Sequence, residues 1–188
     1  MPYMPIIDAF WGLFCLYWIT SARSSKPDIS REAAPRQLLS SGGFIVGALL
    51  LFSRMPPDLW LSKRLYSPSS ISGTIGCVLG GLGLAVAISA RRVLGSNWSR
   101  VVAVKENHEL VMTGPYRLVR HPIYSGMLLL VLGTAVVLGQ VKGFAGLMFV
   151  LGSALFRVFA EDQLMASTFP DTFPGYRERT KRLVPWIF

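Results

Sequence analysis

Five long apolar runs constrain this chain more than any other feature: Ile6 to Ala22, Leu38 to Phe52, Ile71 to Ala90, Ile123 to Gly139 and Val141 to Ala160. A helix rising about 1.5 Å per residue needs about 20 residues to cross roughly 30 Å of hydrocarbon, and only helices or closed barrels satisfy their backbone there. The runs therefore predict an all-α integral membrane protein with about five transmembrane helices. The third and fifth are long enough; the second is short unless it continues towards Met55. The first is read as a retained helix rather than a signal peptide, because Met1 to Asp8 carries no Lys or Arg and a second run follows soon after.

With 52% of residues hydrophobic and only 15% charged, disorder is excluded. The net charge of +9 would ordinarily suggest nucleic acid. Its placement argues otherwise, since the cations sit between apolar runs instead of along one helix face. Fifteen of the 19 Lys and Arg fall in the first loop, the third loop and the segment from Arg157 to Arg182, and only four in the second and fourth connections. The positive-inside rule then puts the N-terminus outside and the third loop and C-terminal tail together in the cytoplasm. Two cysteines, Cys15 and Cys77, and two histidines form no disulfide framework or zinc pattern, so no metal is expected.

Residues 1–70 are expected to supply helices 1 and 2, and residues 71–188 a catalytic region of helices 3 to 5, the loop 91–122 and the tail. Only Gln140 separates the last two spans, so they must turn back on each other as an antiparallel hairpin, which places His121 at the same depth as Glu161. Gly73, Gly76, Gly80, Gly81 and Gly83 give the third span a small-residue face for close packing.

The third loop ends Gly114-Pro115-Tyr116-Arg117-Leu118-Val119-Arg120-His121-Pro122-Ile123-Tyr124-Ser125-Gly126. Pro122 suits the first position of a helix and leaves His121 near its N-cap, with Arg117 and Arg120 beside the positive helix end; an anion should bind there. Arg157 and Glu161 share a helix face with Asp162 adjacent, and acids at the end of a membrane helix are costly unless paired or used. The simpler alternative for Arg157 and Glu161 is a pair that ends the span by snorkelling. The basic tail has a simple reading as well, a segment lying on anionic lipid.

Together these segments resemble the isoprenylcysteine carboxyl methyltransferases and the related phospholipid N-methyltransferases. The block from Gly114 to Gly126 matches throughout. The second half matches at Glu161, Phe169, Tyr176 and Pro185, and departs at Asp162, Pro170 and Phe173. The resemblance covers roughly residues 80 to 188. It implies S-adenosylmethionine as methyl donor, a prenylated or lipidic acceptor reached from the bilayer, and a pocket between the last helices, the third loop and the tail. The charge asymmetry and the five-span length, rather than the resemblance, point to the inner membrane of a prokaryote with the site facing the cytoplasm.

Tyr116, Arg117, His121, Tyr124, Glu161, Asp162 and Tyr176 are the expected cofactor-binding residues. The helix end with His121 and Tyr124 suits the donor carboxylate, Glu161 its ammonium or ribose hydroxyls, and Tyr116, Phe169 or Tyr176 the adenine. Arg120, then Arg157, are the catalytic candidates that would aim an acceptor carboxylate. An amine acceptor would instead need Glu161 or His121 as base. NADPH-dependent membrane steroid and sterol reductases, which carry a similar Arg-His-Pro-x-Tyr element, are the competing enzyme class.

Overall fold

The computed structural model describes residues 2–22, 28–31, 34–99, 103–105 and 109–188. The elements are α1 (Met4–Ser21), β1 (Asp28–Arg31), α2 (Ala34–Phe52), α3 (Ser70–Leu94), β2 (Ala103–Lys105), α4 (Pro122–Leu138), α5 (Val141–Thr168) and α6 (Phe173–Arg179). Three helical stretches, Met4–Ser21, Ser70–Asn97 and Val141–Thr168, are long and apolar enough to cross a membrane. Ser40–Phe52 and Pro122–Leu138 are apolar but shorter. The chain is an integral membrane protein.

Two helices depart from their expected bounds, and a strand pair is added. Helix α2 starts at Ala34 and stops at Phe52 instead of running towards Met55, because Pro56 and Pro57 lie just ahead and bias the preceding residues out of the helical region. Helix α5 continues to Thr168, so Glu161 and Asp162 sit inside it rather than at its end. The loops also contribute a short antiparallel pair, β1 with β2, in which Asp28 faces Lys105 and Arg31 faces Ala103. Of the loop cations, Arg23, Lys26 and Arg100 lie outside the described residues, as does His108.

The pair α3 and α4 packs backbone to backbone. A methyl group on Gly83 would lie 2.5 Å from the Gly126 carbonyl oxygen and from the Leu130 nitrogen, and one on Gly133 would lie 2.6 Å from the Gly80 nitrogen. Only glycine permits that approach. Helix α4 ends at Gly139, which turns left-handed at φ 60° and starts the hairpin into α5. Outside the hairpin turn, Tyr66 donates to the Val136 carbonyl at 2.6 Å and Lys142 to the Ser53 carbonyl at 2.6 Å, which ties the second connection to it.

Leu51, Val131 and Val150 form a core joining α2, α4 and α5, with Trp11 of α1 packed against it. The Trp11 indole donates to Thr134 Oγ1 at 3.0 Å. At the opposite end of the bundle, Arg91 is 1% exposed and donates to the Gly95 and Ser21 carbonyls, each at 2.6 Å, with its guanidinium 4.7 Å from the Trp98 ring. One buried cation thereby joins the ends of α1 and α3.

Candidate active site

The hairpin sets one helix start beside one helix interior. His121 caps α4, with Pro122 in the first helical position. Its Nδ1 lies 3.2 Å from Glu161 Oε2 and its Nε2 lies 2.8 Å from Asp162 Oδ1. One turn into α4, the Tyr124 hydroxyl donates to Glu161 Oε1 at 2.6 Å. The two adjacent acids therefore meet the ring from both sides.

Asp162, 6% exposed, is the hub. Arg120 Nε and Nη2 donate to its two oxygens at 3.2 and 3.0 Å, and Arg182 Nε adds a bond of 2.9 Å. Arg120 Nη1 donates to the Arg177 carbonyl at 3.2 Å and to the Thr180 carbonyl. The tail closes over this cluster through its backbone. The Arg120 and His121 amides donate to the Lys181 and Arg182 carbonyls at 2.8 and 3.0 Å, and Ser125 Oγ donates to the Leu183 carbonyl at 2.6 Å. In α6, Phe173, Tyr176 and Thr180 face inward while Arg177 and Arg179 are exposed, and the Tyr176 hydroxyl donates to the Tyr116 carbonyl at 2.7 Å.

Burial alone would favour loss of the His121 proton, but hydrogen bonds to Asp162 and Glu161 outweigh it and raise the pKa above the ordinary 6.5. Burial also pushes the Tyr176 phenol up to about 12 and raises that of Tyr116, so both phenols keep their protons at neutral pH, while His121 is shifted towards its protonated form. A raised folded-state pKa contributes stability that is fully present below the unfolded value and lost as pH rises through the folded one. Unfolding midpoints in detergent should therefore fall as the pH is taken upward from 6.5, and His121→Gln should flatten that dependence; a wild-type midpoint constant to pH 9 would refute the charged ring.

A cavity of about 600 Å³ lies against this cluster. One side is lined by Tyr116, Arg120, His121, Tyr124, Glu161, Asp162 and Tyr176; the other by Phe14, Trp18 and Ile19 of α1 and Phe44 of α2. Arg157 also lines it, donating to Ser40 Oγ at 3.3 Å and Ser41 Oγ at 3.0 Å, with its guanidinium 5.3 Å from the Phe44 ring. Phe169 is not among the lining residues, and of the ten residues singled out from sequence eight thus come together. Arg117 does not: it is exposed on the outer side of the turn Gly114–Arg117, whose buried residue is Tyr116.

Arg120 lines the cavity while four of its donor contacts go to Asp162 and to the Arg177 and Thr180 carbonyls. Asn97, Trp98 and Glu109 line the cavity without having been signalled by any spacing, and Arg182 joins the ion cluster from within a run of tail cations that resembles a solvated surface. Among the described residues no group of three or more His, Cys, Asp or Glu could hold a metal ion.

Residues 71–172 match the family model described as phospholipid methyltransferase. The chain is 35% identical over 111 residues to the protein-S-isoprenylcysteine O-methyltransferase of Schizosaccharomyces pombe, covering 56% of this chain and 46% of that protein. It is 30% identical over 148 residues to the cobalt-zinc-cadmium resistance protein CzcN of Cupriavidus metallidurans, covering 76% of this chain and 59% of that one. The solved structure of the eukaryotic intramembrane Ras methyltransferase ICMT superposes with a TM-score of 0.54 at 22% identity, over 85% of this chain and 55% of that chain. This chain thus spans about half the length of these relatives. The family match alone takes in more than half of it, from the start of α3 to the threshold of α6, and on that ground the chain belongs to the phospholipid methyltransferase family, alongside the isoprenylcysteine carboxyl methyltransferases it resembles.

Proposed function

We propose that this chain is an integral-membrane methyltransferase that uses S-adenosylmethionine and acts on a prenylated or lipidic acceptor. The observation that carries the reading is the two-sided cavity, with a hydrogen-bonded ionic cluster on one wall and α1 and α2 aromatics on the other. Its lining suits a molecule with charged, hydroxylated and flat aromatic parts joined to an apolar neighbour. Bound there, the donor supplies a methyl group on a positively charged sulfur.

Glu161, with a side chain 29% exposed, is the carboxylate open to the cavity and holds the donor's ammonium or ribose hydroxyls. Tyr116 and Tyr176 supply an aromatic wall for adenine. His121 and Arg120 are positioning residues, since both ring nitrogens of the one and both forks of the other are engaged within the protein. Arg157, on the boundary between the polar and apolar walls, is the cation that orients an acceptor carboxylate. Water exclusion and alignment of the acceptor with the methyl group supply the rate.

Residues 71–188 carry the donor side and residues 1–70 the apolar wall. All five long helices cross the bilayer, with the N-terminus outside and the site facing the cytoplasm of a prokaryotic inner membrane. Reporter fusions after Phe188 should be cytoplasmic; an external reporter would overturn this orientation. The family description favours a second reading, an amine headgroup as acceptor. In that case Glu161 is the base, because both His121 ring nitrogens are engaged with Glu161 and Asp162.

Calorimetry on purified protein should show binding of S-adenosylhomocysteine and none of NADPH. The reverse would replace the methyltransferase reading with a reductase. Radiolabelled donor offered with a farnesylated cysteine and an ethanolamine lipid then separates the two acceptor classes.

A further inference from the structure

The tail has a second surface, facing away from the ion cluster. Arg177, Arg179 and Lys181 project outward while Phe173, Tyr176 and Thr180 face in. The chain then turns back against α5, where the Phe188 ring lies 6.4 Å from the Phe159 ring and Arg182 sits over both. Phe156 and Phe159 are exposed on that helix, and the tail extends their apolar surface with Val184, Ile187 at 78% and Trp186 at 86% exposed. A tryptophan this bare beside an aromatic membrane helix, within ten residues of three outward cations, matches the composition of a membrane boundary.

We infer that residues 177–188 form an interfacial latch, with Trp186 and Ile187 seated in the bilayer and Arg177, Arg179 and Lys181 on anionic lipid headgroups, and that headgroup charge thereby sets the order of the ion cluster. Charge complementarity selects the occupant: the outward cations outnumber the exposed acids Asp171 and Glu178 of the same segment, and the adjoining apolar residues require hydrocarbon rather than a soluble ion. The coupling is built from backbone. The Lys181 and Arg182 carbonyls hold the Arg120 and His121 amides, the Leu183 carbonyl holds Ser125, and the Arg182 side chain holds Asp162. A lipid that immobilises the outer face of this segment immobilises its inner face too. Nothing in the methyltransferase reading requires such a latch, although the affinity measurement below rests on that reading.

The test uses the full chain in nanodiscs of phosphatidylcholine alone or mixed with phosphatidylglycerol. Brominated lipids should quench the fluorescence that Trp186→Phe removes, and more strongly in the anionic discs. Affinity for S-adenosylhomocysteine should rise about tenfold on adding the anionic lipid, a fraction of what three cations gain at a charged surface being passed through the tail to the site. The triple variant R177Q/R179Q/K181Q should match wild type in phosphatidylcholine and lose the anionic enhancement, and high salt should have the same effect on wild type. An unquenched Trp186, or an affinity indifferent to headgroup charge in protein that binds the ligand, overturns the latch. If the ligand binds in neither disc, the methyltransferase reading fails, and the quenching still decides whether the tail is docked.

Discussion

Asp162→Asn should cost about 3–5 kcal/mol of stability, the usual cost of leaving a buried charge without its partner. The change strands Arg120, buried between Asp162 and the Arg177 and Thr180 carbonyls, and removes one carboxylate from His121 and one from Arg182. Arg120→Ala should cost a similar amount from the other side and loosen the tail as well. Asp162→Leu combined with Arg120→Met should cost less than the sum of the single changes, because neither charge remains to be stranded. Equilibrium unfolding in mixed micelles measures all of these, and proteolysis after Arg179 reports release of the tail. Single variants within about 0.5 kcal/mol of wild type would show the cluster to be energetically idle.

The neighbouring acid should behave in the opposite way. Glu161→Gln should leave stability within about 1.5 kcal/mol of wild type but weaken S-adenosylhomocysteine binding by about 1–3 kcal/mol, the usual worth of one charge-assisted contact. The difference follows from geometry: Glu161 has His121 and Tyr124 beside it and a side chain still 29% exposed at the cavity, whereas Asp162, though it also lines the cavity, is buried with both oxygens held by Arg120, His121 and Arg182. Titration calorimetry of the variant and of Tyr124→Phe, which frees one Glu161 oxygen, would test this division. Unchanged affinity in Glu161→Gln would leave the donor side of the cavity without its anchor.

The hairpin of α4 and α5 could be read directly from residues. Pro122 marks a helix start and Gly139 a left-handed stop, so the meeting of His121 with Glu161 follows from the count of residues between them. The glycines of α3 announced a close approach in the same way, although only the structure identifies Gly126 and Gly133 as their counterparts. The central position of Asp162 was not legible, because one of its partners, Arg182, arrives from the tail, whose docking no local pattern fixes, and nothing local in Arg182 distinguishes it from the solvated cations beside it. The strand pair β1 with β2 joins segments far apart in the chain, each too short to show alternation. That Arg117 lies outside the cavity lining was not legible either, because nearness to the helix start in sequence says nothing about which way a four-residue turn presents its side chains.

The glycine contacts between α3 and α4 have a mechanical consequence. Where main chain rests on main chain, no side chain can change rotamer to let one helix slide or tilt against the other, so the two behave as a single stiff plank. Helix α1 leans on that plank through larger and softer contacts, Ile7 and Phe10 beside Gly80 and the indole bond of Trp11 to Thr134. Contacts of that kind leave α1 freer to shift against the plank than α4 is, and α1 also carries Phe14, Trp18 and Ile19 of the cavity lining. A bulky acceptor would be admitted by displacement of that first helix, while the plank keeps the start of α4, and with it His121 and Tyr124, at a constant distance from the rest of the site.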